Sequence, residues 1–446
     1  MEEIISAIST ASGTGGVAII RASGENVLSL AEKMFKPLSK KVKVKDFEPY
    51  KMYVGEIDGG DFTDFGMMVY FKAPKSYTGE DMIEFHCHGG VVITQGILKR
   101  TYELGAIPAT RGEFTKRAFV NGKLSLDSAE GLINMINSES TASLKVGYNL
   151  YREKLYNKIG ELQNDLTFAL ASVDADIDYP EEDLESVAVS DVKKALTKSL
   201  NEINELLNSY SKGEKIKNGV KVAIIGRPNT GKSSILNALL NYDKAIVSSV
   251  AGTTRDVVEG SLSLNGVKFD FYDTAGIRET ADDIEKLGIE RSEKILKSAD
   301  IALVVIDSSE KLSIEDENIL KSVENIENII VYNKCDISGK KEQENALTIS
   351  AKTGEGVEKL KEELYKKAFK NGIDLNSQYI AEERHYYSLK KAKELLLEGI
   401  SNVGKVPLDL VAEDIKSVWL SLGEITGKTA SEEIIDEIFA KFCVGK

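Results

Sequence analysis

The chain has 446 residues, of which 42% are hydrophobic and 29% charged, with a formal net charge of −14. The length suggests two to four domains. The balance is that of a globular protein and excludes a wholly disordered chain; it also excludes a broad basic grip on nucleic acid, leaving a local patch or a partner as the route to RNA.

Three scattered cysteines, Cys87, Cys335 and Cys443, speak against a disulfide framework and for a reducing cytoplasm. No apolar run approaches the roughly 20 residues of a membrane span. The acidic start Met1-Glu2-Glu3 predicts no secretory signal.

Residues 1–118 carry short β-type runs between glycines: Val17 to Ile20, Met67 to Phe71, Val91-Val92-Ile93. They predict a mixed α+β domain. Within it, Gly13-Thr14-Gly15-Gly16-Val17-Ala18 matches a dinucleotide pattern, but a β run follows where a helix is required, so that reading is rejected. His86-Cys87-His88 alternates as a strand does, placing both histidines on one face; zinc would need further ligands, and packing is the simpler role. Arg111, Lys116 and Arg117 form a small basic cluster near the Asn121-Gly122-Lys123 turn, which reads as solvated charge at a helix start.

Residues 119–212 change texture. Leu155, Ile159, Leu162, Leu166 and Leu170, then Leu196, Leu200, Ile203, Leu206 and Leu207, recur at helical spacing, with a break at Asp178-Tyr179-Pro180. Strand-like and helical runs then alternate over 213–374, the α/β pattern, and helical texture returns over 375–446. The organisation expected is a split helical domain interrupted by an inserted P-loop domain of Ras-like α/β fold.

The insert carries the chemistry. Gly226-Arg227-Pro228-Asn229-Thr230-Gly231-Lys232-Ser233 fits G-x-x-x-x-G-K-[ST] between a strand and a helix that includes Ser234. Its backbone N–H groups would wrap phosphates, Lys232 would reach the terminal ones, and the Ser233 hydroxyl would ligate magnesium. Asp273-Thr274-Ala275-Gly276 ends the next strand: the Asp would hold magnesium through water, and the Gly N–H would sense the γ-phosphate. Asn333-Lys334-Cys335-Asp336 ends another, and the Asp336 carboxylate suits the paired N–H donors of guanine, which adenine lacks. Ser350-Ala351-Lys352 would set a backbone N–H on guanine O6. Ligands at the carboxyl ends of parallel strands are the expected geometry, so the set selects GTP. Between them lies the switch-like segment Ala251-Gly252-Thr253-Thr254-Arg255-Asp256, whose Thr254 is favoured to complete the magnesium shell. The glutamine that orients water in Ras-type switches is replaced by Ile277. Arg255 is either a charge-stabilising finger or an ordinary surface arginine.

These motifs together resemble the TrmE/Era/EngA group of GTPases. The tail Phe442-Cys443-Val444-Gly445-Lys446, with Tyr77-Thr78-Gly79-Glu80-Asp81 and His88-Gly89-Gly90, narrows the resemblance to the MnmE (TrmE) family of tRNA modification GTPases over the whole chain. The resemblance implies GTP hydrolysis coupled to modification of the tRNA wobble uridine with a flavoprotein partner, MnmG (GidA), in a cytoplasmic homodimer or heterotetramer. It implies a potassium site at Asn229, Ser248, Val250 and Thr253, the water-positioning role for Glu285, and a site for 5-formyltetrahydrofolate at Arg21, Glu84, Lys123 and Lys446. Cys443 is of open role. The rival is a ribosome-assembly GTPase of the Era or EngA kind. Those carry an RNA-binding module with a Gly-x-x-Gly loop among basic residues, whereas residues 377–446 are helical in pattern and mixed in charge.

Overall fold

The computed structural model describes residues 3–178, 185–242, 258–273, 294–338 and 346–446. It falls into two compact units. One is built from Met1–Ile133, Leu150–Leu200 and Lys391–Lys446; the other from Asn134–Asn149 and Asn201–Lys390.

The first unit contains a seven-stranded sheet of β1 (Ile5–Ile8), β2 (Gly15–Ser23), β3 (Phe35–Pro37), β4 (Met52–Asp58), β5 (Thr63–Phe71), β6 (Met82–Gly89) and β7 (Ile107–Pro108), in the order β3-β4-β5-β6-β2-β1-β7. Its pairings are antiparallel except β1 with β7. Alternation sends Ile20, Ile57, Met68, Ile83 and Phe85 to one face, where α1 (Val27–Met34) and α2 (Val91–Glu103) cover them with Val27, Leu30, Met34 and Ile97. The run Val91-Val92-Ile93, expected as a strand, opens α2 instead. Gly90 is its N-cap, Thr94, Ile97 and Thr101 are the buried positions, and Val92 is 79% exposed. Helical periodicity over the longer segment overrides the β preference of three residues.

The helix Lys154–Asp178 buries Leu155, Ile159, Leu162 and Leu166, and meets the helix Leu408–Thr426, where Gln163 Nε2 donates to the Trp419 carbonyl at 3.1 Å. Leu170 is only half-buried, since Ala169 and Val173 take the inward positions. A smaller cluster joins Leu126, Ala129 and Ile133 to Ile438, Phe439 and Phe442.

The second unit contains a six-stranded sheet, β8 (Val220–Ile225), β9 (Gly260–Leu264), β10 (Val267–Asp273), β11 (Ile301–Asp307), β12 (Asn328–Asn333) and β13 (Leu347–Thr348), in the order β13-β12-β11-β8-β10-β9. Only the edge strand β9 runs antiparallel to its neighbour. The inner strands are continuous apolar runs: every residue of β11 is buried, as expected for a parallel sheet covered on both faces. Asp273, Asp307 and Asn333 stand at the carboxyl ends of β10, β11 and β12, and so at one end of the sheet.

Candidate functional site

The phosphate-loop segment joins β8 to the helix Lys232–Tyr242. Asn229 and Gly231 have φ of 64° and 95°, a region that asparagine tolerates and glycine occupies freely. At Gly231 a Cβ would stand 2.2 Å from Asn333 Nδ2, and at Gly226 one would stand 2.3 Å from the Val305 carbonyl oxygen. Both glycines are therefore required by close approach. The Lys232 ammonium is 6% exposed as a residue and donates to the carbonyls of Gly226 at 2.9 Å and Arg227 at 2.8 Å, so it arches over the loop. Thr230 Oγ1 donates to the Arg227 carbonyl at 2.9 Å.

Asn333 stitches the loop to the far strands. Its Nδ2 donates to the Thr230 carbonyl at 2.9 Å, and its Oδ1 accepts the Ala351 N–H at 3.0 Å. Ser350 Oγ donates to Asp336 Oδ1 at 2.8 Å, which orients the carboxylate. Lys334, at φ 68°, donates from Nζ to the Asn229 carbonyl at 2.8 Å and to Asp307 Oδ2 at 2.6 Å. Burial alone would raise the Asp307 pKa. The hydrogen bonds from Lys334 and Ser309 outweigh it and hold the carboxyl below its ordinary value. Ser233 Oγ donates to Asp273 Oδ2 at 3.4 Å, and Asp273 is 6% exposed. A hydroxyl beside a carboxylate at a helix start suits a hard divalent cation. Ser234 and Lys352 are exposed beside these groups.

Ser248, Val250, Thr253, Thr254, Arg255, Thr274, Ala275, Gly276, Ile277 and Glu285 lie outside the described residues. Asp307 was not singled out from the sequence, although Ile301 to Asp307 repeats the signature that marked Asp273, an apolar strand closed by an aspartate.

The other expected site lies in the first unit. Arg21 on β2 stands opposite Glu84 on β6, with Nε and a terminal nitrogen at 2.9 and 2.8 Å from Glu84 Oε1. The guanidinium also sits 5.3 Å from the Tyr77 ring centre and 5.6 Å from that of Phe114. Burial would raise the Glu84 pKa, but His86, 3.3 Å away, and Arg21 bring it below the ordinary carboxylate value. Lys123 Nζ donates to the Pro74 carbonyl at 2.9 Å, while Asn121 Nδ2 holds the Thr78 carbonyl at 2.8 Å. Thr78 shares a hydrogen bond with Ser23 at 2.7 Å, two residues from Arg21.

The tail comes back to the same sheet. Phe442 is buried; the Gly112 N–H donates to the Cys443 carbonyl at 3.3 Å; Val444 forms an antiparallel bridge with Arg111; and Ser9 Oγ donates to the Gly445 carbonyl at 3.1 Å. Gly445 has φ 94°, and a Cβ there would stand 2.2 Å from the Ile8 carbonyl oxygen. Ile8 follows Ala7, the β1 partner of Arg21. Thus Arg21 and Glu84 are in direct contact, while Lys123 belongs to a segment fastened to Pro74 and Thr78 in the β5–β6 connection, and Lys446 to a tail fastened to Ser9 and Arg111; among the described residues neither lysine hydrogen-bonds to that pair. Cys443 is exposed, and Cys87 is buried, its thiol pushed up to about 11 mainly by desolvation.

Two members of the expected basic cluster are paired with carboxylates. Arg117 bonds Glu80 at 3.2 Å and Glu113 at 3.1 Å, and Lys116 bonds Asp436 at 2.5 Å. His86 and His88 share a strand face, each with a carboxylate partner: Glu84 at 3.3 Å and Asp64 at 2.7 Å.

Comparison with known proteins bears on both sites. A family profile described as the GTP-binding protein TrmE N-terminus matches residues 4–123, and one for the MnmE helical domain matches residues 126–443. A protein of Natranaerobius thermophilus called tRNA modification GTPase MnmE is 40% identical, with all of both chains covered. Proteins of the same name from Clostridioides difficile and Shouchella clausii are 38% and 36% identical, covering all of this chain and 100% and 99% of theirs. The chain belongs to the MnmE family. The match extends over the N-terminal sheet, the helices, the phosphate loop and the tail alike, so neither candidate site lies in a region foreign to the MnmE family. Among the described residues no helix is long and apolar enough to cross a membrane.

Proposed function

We propose that this chain is a GTP-hydrolysing tRNA modification protein of the cytoplasm. With a flavoprotein partner of the MnmG/GidA kind, it would add a carboxymethylaminomethyl-type group to C5 of the wobble uridine of certain tRNAs. The observation that carries the nucleotide half is the Asn333 amide, which ties the phosphate loop to Ala351 in the base-binding segment, so that phosphate and guanine contacts are held in one frame. Support for the tRNA half is the name shared by relatives aligned end to end.

In this reading Asn229 to Ser234 receive the phosphates, with Asp273, Thr274, Ala275 and Gly276 at their end. Asn333, Lys334, Asp336, Ser350, Ala351 and Lys352 receive guanine. Ser233 and Thr254 would hold Mg2+, with Asp273 behind; Asn229, Ser248, Val250 and Thr253 would hold K+. Each ion supplies positive charge at the phosphates. Lys232 balances charge on the terminal phosphate, and Glu285 orients the water. Arg21, Glu84, Lys123 and Lys446 would receive a folate such as 5-formyltetrahydrofolate: a carboxylate suits pterin N–H groups, and cations suit the folate carboxylates. The domain roles follow as folate binding and dimerisation for 1–118, a helical domain from 119–212 and 375–446, and the GTPase insert at 213–374. The working form is a homodimer, or a heterotetramer with the flavoprotein.

The test has two arms. GTP turnover is expected to be much faster in potassium than in sodium, and Asn229→Ala should erase the difference; equal rates in the two salts remove the potassium site. Mass spectrometry of tRNA nucleosides from cells lacking the protein should show loss of the modified wobble uridine; an unchanged profile removes the tRNA role.

A further inference from the structure

The chain carries a net charge of −14, yet Lys36, Lys40, Lys41, Lys43 and Lys45 fall within ten residues that contain no acidic side chain. All five are exposed, Lys36 on the edge strand β3 and the other four on the segment between β3 and β4. Among the described residues, Lys40, Lys41, Lys43 and Lys45 have no carboxylate partner, in contrast to Lys116 and Arg117. Lys36 has only the exposed Glu56 at 3.3 Å, a pair of a kind that contributes little.

The segment is held firmly enough to present these charges as a set. Val44 and Phe47 are buried, and Phe47 stacks on Tyr53 with ring centres 3.7 Å apart and meets Phe35 edge-on at 6.0 Å. The Leu38 N–H donates to the Val54 carbonyl at 3.0 Å, and the Val42 N–H to the Ser39 carbonyl at 3.2 Å. Valines turned inward at 42 and 44 leave the lysines at 41, 43 and 45 outward. Beside them a groove of about 660 Å³ runs along the edge, lined by Lys33, Lys36 and Lys43 together with Glu32, Glu56 and Asp58. Asp58 is engaged by Arg100 at 2.9 Å.

We infer that the lysine row Lys36–Lys45 is the surface on which this chain receives the phosphodiester backbone of its tRNA. This rests on the tRNA reading above. An acidic protein can bind RNA only through a local concentration of cations, because backbone affinity comes from counterions released as phosphates meet Lys or Arg. Ammonium groups on long stems contact phosphates as point charges without base selectivity. The row therefore supplies affinity, and selection of the nucleotide to be modified lies elsewhere. An anionic membrane would be met by the same charges. The segment offers it only one strongly exposed large apolar side chain, Leu38, 68% exposed, where surface-lying segments use a continuous apolar face; RNA is therefore favoured.

The test uses the full-length protein and unfractionated bacterial tRNA, with affinity measured by fluorescence anisotropy across a potassium chloride series. The variant carries Lys40→Gln, Lys41→Gln, Lys43→Gln and Lys45→Gln, all at exposed positions. Its affinity should fall roughly 10- to 100-fold at low salt, and the slope of log K against log salt should flatten by about 3, since each lost phosphate contact removes about 0.7–0.9. GTP hydrolysis without tRNA should be unchanged. A control with Lys193→Gln, Lys194→Gln, Lys321→Gln and Lys359→Gln should bind as the parent does. If the parent binds tRNA and the first variant binds with the same affinity and slope, the row is not the contact. The same holds if the variant loses only binding to phosphatidylglycerol vesicles. If the parent itself binds no tRNA, the functional reading fails first and takes this inference with it.

Discussion

The nucleotide end of the second unit and the Arg21–Glu84 region of the first are built in opposite ways. The phosphate loop is a contiguous stretch, Gly226 to Ser233, and its partners arrive at the ends of successive strands, so each piece is a short motif at a strand terminus. The Arg21 region takes single residues from β2 and β6, a lysine from the turn after Val120, and a tail more than 300 residues further along that is fastened to Ile8, Ser9 and Arg111. A site of the first kind is written in motifs because backbone conformation supplies most of its ligating groups. A site of the second kind is written in isolated side chains, whose identity means little until the fold brings them together.

This contrast can be broken by removing its fasteners. Asn333→Ala should have the largest effect. It removes an amide 2% exposed and leaves the Ala351 N–H and the Thr230 carbonyl without their partner. A loss of about 2–4 kcal/mol in the stability of the second unit is expected, read as a lower melting temperature, with GTP affinity down at least tenfold. Wild-type affinity in this variant would mean that the loop is ordered without the tie.

Deleting Cys443 to Lys446 should leave GTP binding intact while abolishing tRNA modification and weakening folate binding, measured by calorimetry with 5-formyltetrahydrofolate. If the deletion and Glu84→Ala both bind folate as the intact chain does, the folate assignment falls. A smaller effect is expected for Asp307→Asn, which removes the ion pair of Lys334. GTP affinity should fall several-fold, and Lys334→Ala should add little in the double variant; full additivity would sever the proposed link.

Glu84→Gln sharpens the comparison through pH. The folded-state pKa of Glu84 lies below its ordinary value, so its charge stabilises the native state above the unfolded pKa of about 4.3, and that stabilisation is lost as pH falls through the lower folded value. The stability gap between parent and variant should therefore be greatest near neutrality and close below about pH 4. A gap independent of pH would show that shape, not charge, holds Arg21. Cys443→Ser should be the mildest change: the side chain is exposed, so stability should move by less than about 0.5 kcal/mol, and lost tRNA modification in this variant would assign the thiol a chemical or docking role.

The legibility of the sequence follows the same division. Gly226 to Ser233, Asp273 and Asn333 to Asp336 could be read directly, because strand, turn and helix start are local and their residues are constrained by close approach, as Gly231 against Asn333 shows. Helical periodicity located Leu155 to Leu166, while the brief run at Val91 misled because three β-branched or apolar residues carry too little period to outweigh the helix they begin. Asp307 escaped notice because Ser308-Ser309-Glu310 follow it, without the glycine that marks the segment after Asp273. The seat of the tail on Ile8 had no local signal at all: a bridge such as Arg111–Val444 exists only between distant segments. The charge of Arg117 was visible, but its neutralisation by Glu80 and Glu113 was a matter of folding.

The Asn333 tie also sets an order of events during synthesis. Gly231 and Thr230 leave the ribosome roughly 100 residues before their partner, and Ala351 follows later still, so a nascent chain that ends before about residue 351 has a loop without its clasp. The segment Lys391–Lys446 that completes the other unit is translated afterwards. At ~5–20 residues per second, the nucleotide unit has on the order of 5–20 seconds in which it can close before the tail exists to be seated.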